Sequence, residues 1–222
     1  MSMLSDAIRD SLPIWRSCLD TAFVRGVAAG TLSEDCFKGY IVDDSLYLRE
    51  YAKVFAYGMV HARTSEEIRA YYSLLAFVNE SEDATRLYYM KRYGLTDADI
   101  QHLPLRPANR AYVDTMLSAA RDGEGAPECM MACLPCMLSY AYIFGEVLRD
   151  YPQVRDTAYW PFVRDYADGS YDAVCREWME FTERACQGLS PEREAKCLDI
   201  FRRCSEHEHA FWEMCMQPRD DV

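Results

Sequence analysis

Apolar residues recur at three- and four-residue spacing from near Asp6 to about Met216, and no stretch alternates apolar with polar as a half-buried strand must. A chain with that one period can bury its apolar surface only by packing helix on helix, so the expected fold class is all-α. Stripes run over Asp6 to Ala29, Ser33 to His61, Ser65 to Tyr93, Arg106 to Arg121 and Pro127 to Asp150. Shorter ones cover Asp156 to Tyr166 and Tyr171 to Cys186, and a long last helix spans Pro191 to Met216. Thr31 to Glu34 and Thr64 to Glu67 have capping-box spacing, Gly94 stops a helix, and Ser190 followed by Pro191 starts one. Loops such as Asp122 to Ala126 and Gln187 to Leu189 are short, and no repeat or low-complexity run divides the chain. Residues 1–222 therefore read as a single compact multi-helix bundle.

Two carboxylates interrupt these stripes. Asp44 falls among Tyr40, Ile41, Tyr47, Leu48, Tyr51, Val54 and Phe55, and Glu208 among Cys197, Phe201, Cys204, Phe211, Trp212 and Cys215. Burying a carboxylate costs several kcal/mol, so each acid must be paired, hydrogen-bonded or shifted in pKa. An Arg from a neighbouring helix is the structural solution; a functional pocket is the other. Asp44 and Tyr47 stand three apart, and Cys136 and Tyr140 four apart, so each pair shares a helix face. Sixteen tyrosines exceed what filling a core requires, because a buried hydroxyl needs a partner that Phe does not. A tyrosine-lined polar pocket follows, although any one Tyr can equally sit with its ring buried and its hydroxyl wet.

The ten cysteines sit mostly on helix faces of a chain large enough to fold without disulfides, which reads as reduced core residues. Cys133-Leu-Pro-Cys136 has the spacing of a redox pair but lacks a thioredoxin-like strand and helix, and with Cys129 it is one ligand short of a structural zinc site. A single working thiol at Cys136 is the preferred reading, on a helix that Pro135 should kink. Glu206-His-Glu-His209 contains one Glu-x-x-His without a second, so no metal or other cofactor is expected, and His207 and His209 read as a solvated helix face.

The formal charge of −12 argues against nucleic acid or an anionic membrane as partner. Met1 to Gly30 has no signal-peptide pattern, and no run reaches the roughly 18 apolar residues of a membrane helix, so a cytoplasmic protein is expected.

In chain order, Gly30-Thr-Leu-Ser-Glu-Asp-Cys-Phe37, Tyr40 through Asp44, Tyr47, Tyr51-Ala-Lys-Val-Phe-Ala56, Ala111-Tyr112, Leu134-Pro-Cys136 with Tyr140, Gly145-Glu146 and Glu208-His-Ala-Phe211-Trp212 resemble the TenA or thiaminase II family over nearly the whole chain. Cys136 places the resemblance in the cysteine-containing branch. Asp43 stands where the family commonly has Gln, Met137 where it has Tyr, His207 where it has an aromatic residue, and Phe162-Val163 where it has Trp-Ile before the tyrosine matched by Tyr166.

The resemblance implies a haem-oxygenase-like helical bundle, a homotetramer, and an aminopyrimidine aminohydrolase that releases hydroxymethylpyrimidine from aminomethylpyrimidine or, more slowly, thiamin, for thiamin salvage. It implies Cys136 as nucleophile, Glu208 as general acid and base, and Asp44 on the aminopyrimidine edge. Tyr47 and Tyr166 would line the ring, Tyr112 and Tyr140 would hydrogen-bond around the thiol, and Phe211 would complete the substrate-binding set. A TenA-like di-metal oxidase and a non-catalytic pyrimidine-binding regulator are the alternatives.

Overall fold

The computed structural model describes residues 2–80 and 83–222, and among these every regular element is helical. The helices are α1 (Met3–Cys18), α2 (Ala22–Ala29), α3 (Glu34–His61), α4 (Ser65–Glu80), α5 (Asp83–Arg92), α6 (Asp97–Ile100), α7 (Pro107–Arg121), α8 (Ala126–Asp150), α9 (Trp160–Ala167), α10 (Gly169–Ala185) and α11 (Pro191–Cys215). A 3₁₀ turn over Pro152–Asp156 separates α8 from α9. Helices α3, α7, α8 and α11 pack on one another, with α1, α2, α4, α9 and α10 laid around them.

One expected helix is divided in two. The stripe over Asp6 to Ala29 breaks after Cys18, where Thr21 caps α2 by accepting the Val24 N–H, yet both pieces face the same core and so keep one apolar period. The stripe over Ser65 to Tyr93 is helical over Ser65–Glu80 and Asp83–Arg92, and its middle, residues 81 and 82, lies outside the described residues. The helix expected from Asp156 begins at Trp160, because Pro152 opens a 3₁₀ turn that runs to Asp156.

The capping signals are partly realised. Thr64 and Glu67 form a reciprocal box, with bonds of 3.0 and 3.1 Å, and Ser190 caps α11. Thr31 caps nothing; Ser33 does so for α3, accepting the Cys36 N–H at 3.1 Å. Gly94 (φ 67°) ends α5, with the Leu95 N–H on the Met90 carbonyl and its own N–H on Lys91, a Schellman arrangement that needs the left-handed conformation.

Helix α8 runs unbroken through Pro135, with every residue from Pro127 to Pro135 buried. By length and apolarity it does reach what a membrane span requires, a match the sequence reading missed, but two-thirds of that window, 67 %, is buried within the bundle. Its apolar surface is matched by the helices around it.

Candidate active site

Adjacent residues on a helix point about 100° apart, and at Asp43–Asp44 that angle separates a structural acid from a pocket acid. Asp43 is fully buried and turns toward α7 and the segment after α11. Arg219 Nη1 donates to its Oδ1 at 2.7 Å, Arg106 Nε donates to Oδ2 at 2.8 Å with Nη2 on the same oxygen, and Asn109 Nδ2 donates to the Asp43 carbonyl at 2.8 Å. Arg219 and Arg106 also hold the Pro104 and Gln217 carbonyls, at 3.0 and 2.7 Å. Burial raises the Asp43 carboxyl above its ordinary value, and the two guanidiniums oppose that rise. Glu128, likewise fully buried, is gripped by Arg193 through two bonds of 2.7 Å. The Arg solution foreseen for Asp44 and Glu208 is thus used by Asp43 and Glu128. Replacing Arg219 by Ala should lower unfolding stability by about 3 kcal/mol in urea titration, the low end for breaking a buried pair, because Arg106 remains. A loss under about 1 kcal/mol would mean that Arg106 alone suffices.

Asp44 lies half-buried on the wall of a cavity of about 450 Å³. Tyr40 and Ile41 of α3, Arg86 of α5, Phe162, Asp165 and Tyr166 of α9, and Tyr171 of α10 complete much of the lining. Burial pushes the Asp44 carboxyl up to about 7; Arg86 opposes that shift and Asp43 adds to it. Arg86 in turn is held by Asp97 at 2.9 Å.

Behind Tyr40 and Tyr166 the other expected residues come together. Tyr140 meets Tyr40 hydroxyl to hydroxyl at 3.2 Å and places its ring 4.9 Å from Tyr166. Glu208, 2 % exposed, accepts a 2.6 Å bond from the Tyr112 hydroxyl and another from the Cys136 thiol. Burial pushes this carboxyl up to about 8; the Tyr112 and Cys136 bonds oppose the rise, and the Asp44 charge adds to it. The Tyr47 ring lies 5.0 Å from Tyr112 and 6.0 Å from Phe211, with its hydroxyl on the Met116 sulfur at 3.3 Å. All ten cysteines are described; nine are buried and Cys136 is partly exposed. Asp44 and Tyr166 therefore face the cavity, while Cys136, Glu208, Tyr47, Tyr112, Tyr140 and Phe211 form the cluster beside it, and the Asp44 charge is felt at both Tyr140 and Glu208.

Such an arrangement combines an accessible thiol, a carboxyl poised to exchange a proton near neutral pH, and an aromatic cavity with one acid on its wall. The sequence reading missed Arg86 and the Asp43–Arg106–Arg219 clamp, and it misjudged His207. That residue is half-buried, stacked on Tyr112, and not on a solvated face. Tyr40, part of a noted motif, proves to be wall to both cavity and cluster. Among the described residues no group of three or more His, Cys, Asp and Glu is placed to hold a metal ion.

A sequence model described as the TENA/THI-4/PQQC family matches residues 9–218. The chain is 30 % identical over 206 residues to an aminopyrimidine aminohydrolase of Helicobacter pylori, covering 92 % of this chain and 94 % of that one. It is 28 % identical over 221 residues to an aminopyrimidine aminohydrolase of Halalkalibacterium halodurans, covering 99 % and 97 %. Among solved structures, a TenA homologue from P. horikoshii OT3 superposes with a TM-score of 0.85 at 26 % identity, over 97 % of this chain and 99 % of that one.

Proposed function

Since the chain belongs to the TENA/THI-4/PQQC family, we propose that it is an aminopyrimidine aminohydrolase that replaces the amine on the C5 methylene of a 4-amino-2-methylpyrimidine with hydroxyl. The observation that carries the reading is the Cys136–Glu208–Tyr112 constellation, a partly exposed thiol bonded to a buried carboxyl that a phenol also holds.

In this reaction the Cys136 sulfur adds to the pyrimidine ring and its thiol proton passes to Glu208. The electron pair displaced from the ring settles on a ring nitrogen, which takes a proton. As the nitrogen gives up that proton the pair returns and expels the amine, which leaves as ammonia on the proton Glu208 took from the thiol, and an exocyclic methylene remains. Water adds there, a proton is withdrawn by Glu208, and departure of the thiolate restores the aromatic ring. The balance is substrate plus water giving hydroxymethylpyrimidine plus ammonia. A carboxyl held near 8 by burial can serve as both acceptor and donor at neutral pH. Asp44 meets the amino edge of the ring, Tyr166 and Tyr47 line its faces, Tyr140 and Tyr112 hydrogen-bond around the thiol, and Phe211 packs beneath.

Incubation with aminomethylpyrimidine and with thiamin should release hydroxymethylpyrimidine from both, faster from the former; no release from either overturns the reading. Asp44→Asn should weaken pyrimidine binding by roughly 1.5–3 kcal/mol, the range for hydrogen bonds to charged groups. Calorimetry showing unchanged affinity would remove Asp44 from the site. The proposal extends to a cytoplasmic homotetramer. Its assembly is supported by large apolar side chains left exposed on α3 and α4, Val60 at 78 % and Tyr72 at 67 %, and sedimentation measures it.

A further inference from the structure

His207 enters none of the steps above, yet it is built against them. Its ring stacks on Tyr112 with centroids 5.5 Å apart and planes 20° from parallel, and its Nε2 lies 2.9 Å from Thr115 Oγ1. Thr115 Oγ1 also lies 2.9 Å from the Ala111 carbonyl, to which it can donate its one proton while accepting from the imidazole. With that proton on the carbonyl, Nε2 carries the hydrogen, and the contact fixes the plane of the ring. Burial, joined by the Arg203 charge and opposed by Glu206, lowers the His207 pKa and keeps that tautomer neutral. Thr115 and Tyr112 sit three apart on α7, and His207 adjoins Glu208 on α11. The contact thus ties together the two helices that carry the Tyr112–Glu208 bond.

We propose that His207 is a positioning residue: pinned by Thr115, its flat face holds the Tyr112 ring at the angle that keeps the phenol on Glu208. The kinetic side of this proposal rests on the aminohydrolase reading, but the geometric side does not. Without the stack the Tyr112 ring can turn away, and Glu208 loses the bond that holds its protonated form in check.

The test compares wild type with His207→Ala, His207→Leu and His207→Phe. Leu fills the volume without a flat face, which guards against a simple packing loss; Phe keeps the face without the Thr115 bond. Ala and Leu should lower kcat about tenfold, the low end for a hydrogen bond to an ionisable group, leave KM within about twofold, and move the limb set by Glu208 toward higher pH. Phe should restore both kcat and the limb. In parallel, the pH profile of Cys136 alkylation, followed by mass spectrometry of its peptide, reports the Glu208–Cys136 pair with no turnover needed. That profile should move in Ala and Leu and return in Phe. Wild-type protein without aminohydrolase turnover would sink the functional reading while the alkylation profile still decides the clamp. A profile unmoved in Ala, a Leu variant that behaves as wild type, or a Phe variant that fails to rescue overturns the clamp.

Discussion

Cys136→Ser is expected to lower turnover by orders of magnitude while pyrimidine binding survives. A hydroxyl fits where the thiol sits and can still hydrogen-bond to Glu208, but its far higher pKa makes it a poor nucleophile. The neighbouring thiols supply the control. Burial pushes Cys129 up to about 12 and Cys133 well above the usual thiol range, and both are enclosed by α8's packed face. Serine at either position should change the rate little in protein that remains folded. Steady-state rates and calorimetry on the three variants separate the readings: an equal loss at Cys133 would revive the redox pair, and loss of binding in Cys136→Ser would make the thiol part of the recognition surface.

Glu208→Gln should cost roughly 10²–10⁴-fold in rate, the usual range for general acid–base catalysis, with binding much less affected. The amide keeps an oxygen for the Tyr112 hydroxyl and removes the proton transfer. The pH–rate profile should lose the limb that the wild-type carboxyl, held near 8, provides. Stability changes in the opposite direction. The native protein keeps the Glu208 proton up to about 8, whereas the unfolded chain releases it near 4.5, so ionisation opposes folding through that interval. Wild type should lose stability as pH rises from about 4.5 toward 8, and the Gln variant should lack that part of the decline. Urea melts at pH 5 and pH 8 measure it. If Glu208→Gln unfolds the protein at neutral pH while Cys136→Ser does not, the acid is structural and its catalytic assignment is wrong.

The helices and the helix faces were legible because both follow from local spacing. Glu208 stood out as a lone acid between Phe201, Cys204, Phe211 and Trp212, and it is buried there. Asp44 was read correctly as an acid with a special setting, but its setting is a cavity wall; the fully buried acid is its neighbour. Nothing local distinguishes Asp43, since its partner Arg219 is 176 residues away, and in sequence this buried Arg looks like any surface one. His207 was misjudged for a related reason. Its stripe position is polar-facing on α11 alone, and only the approach of α7 turns that position into a stacked, half-buried one. The break after Cys18 was hidden because α1 and α2 keep one face on the same core.

The clamp on Asp43 also sets an order of events in synthesis. Asp43 emerges 176 residues ahead of Arg219, and Arg106 is 63 residues behind it. A nascent chain therefore carries this carboxylate through most of translation with at most half of its countercharge. Burying it in that state carries the desolvation penalty without full compensation, so α3 should pack less firmly until Arg219 arrives. Chains stalled or cut before residue 219 should remain loosely packed around α3, and the wall bearing Asp44 should close only when the segment beyond α11 is in place.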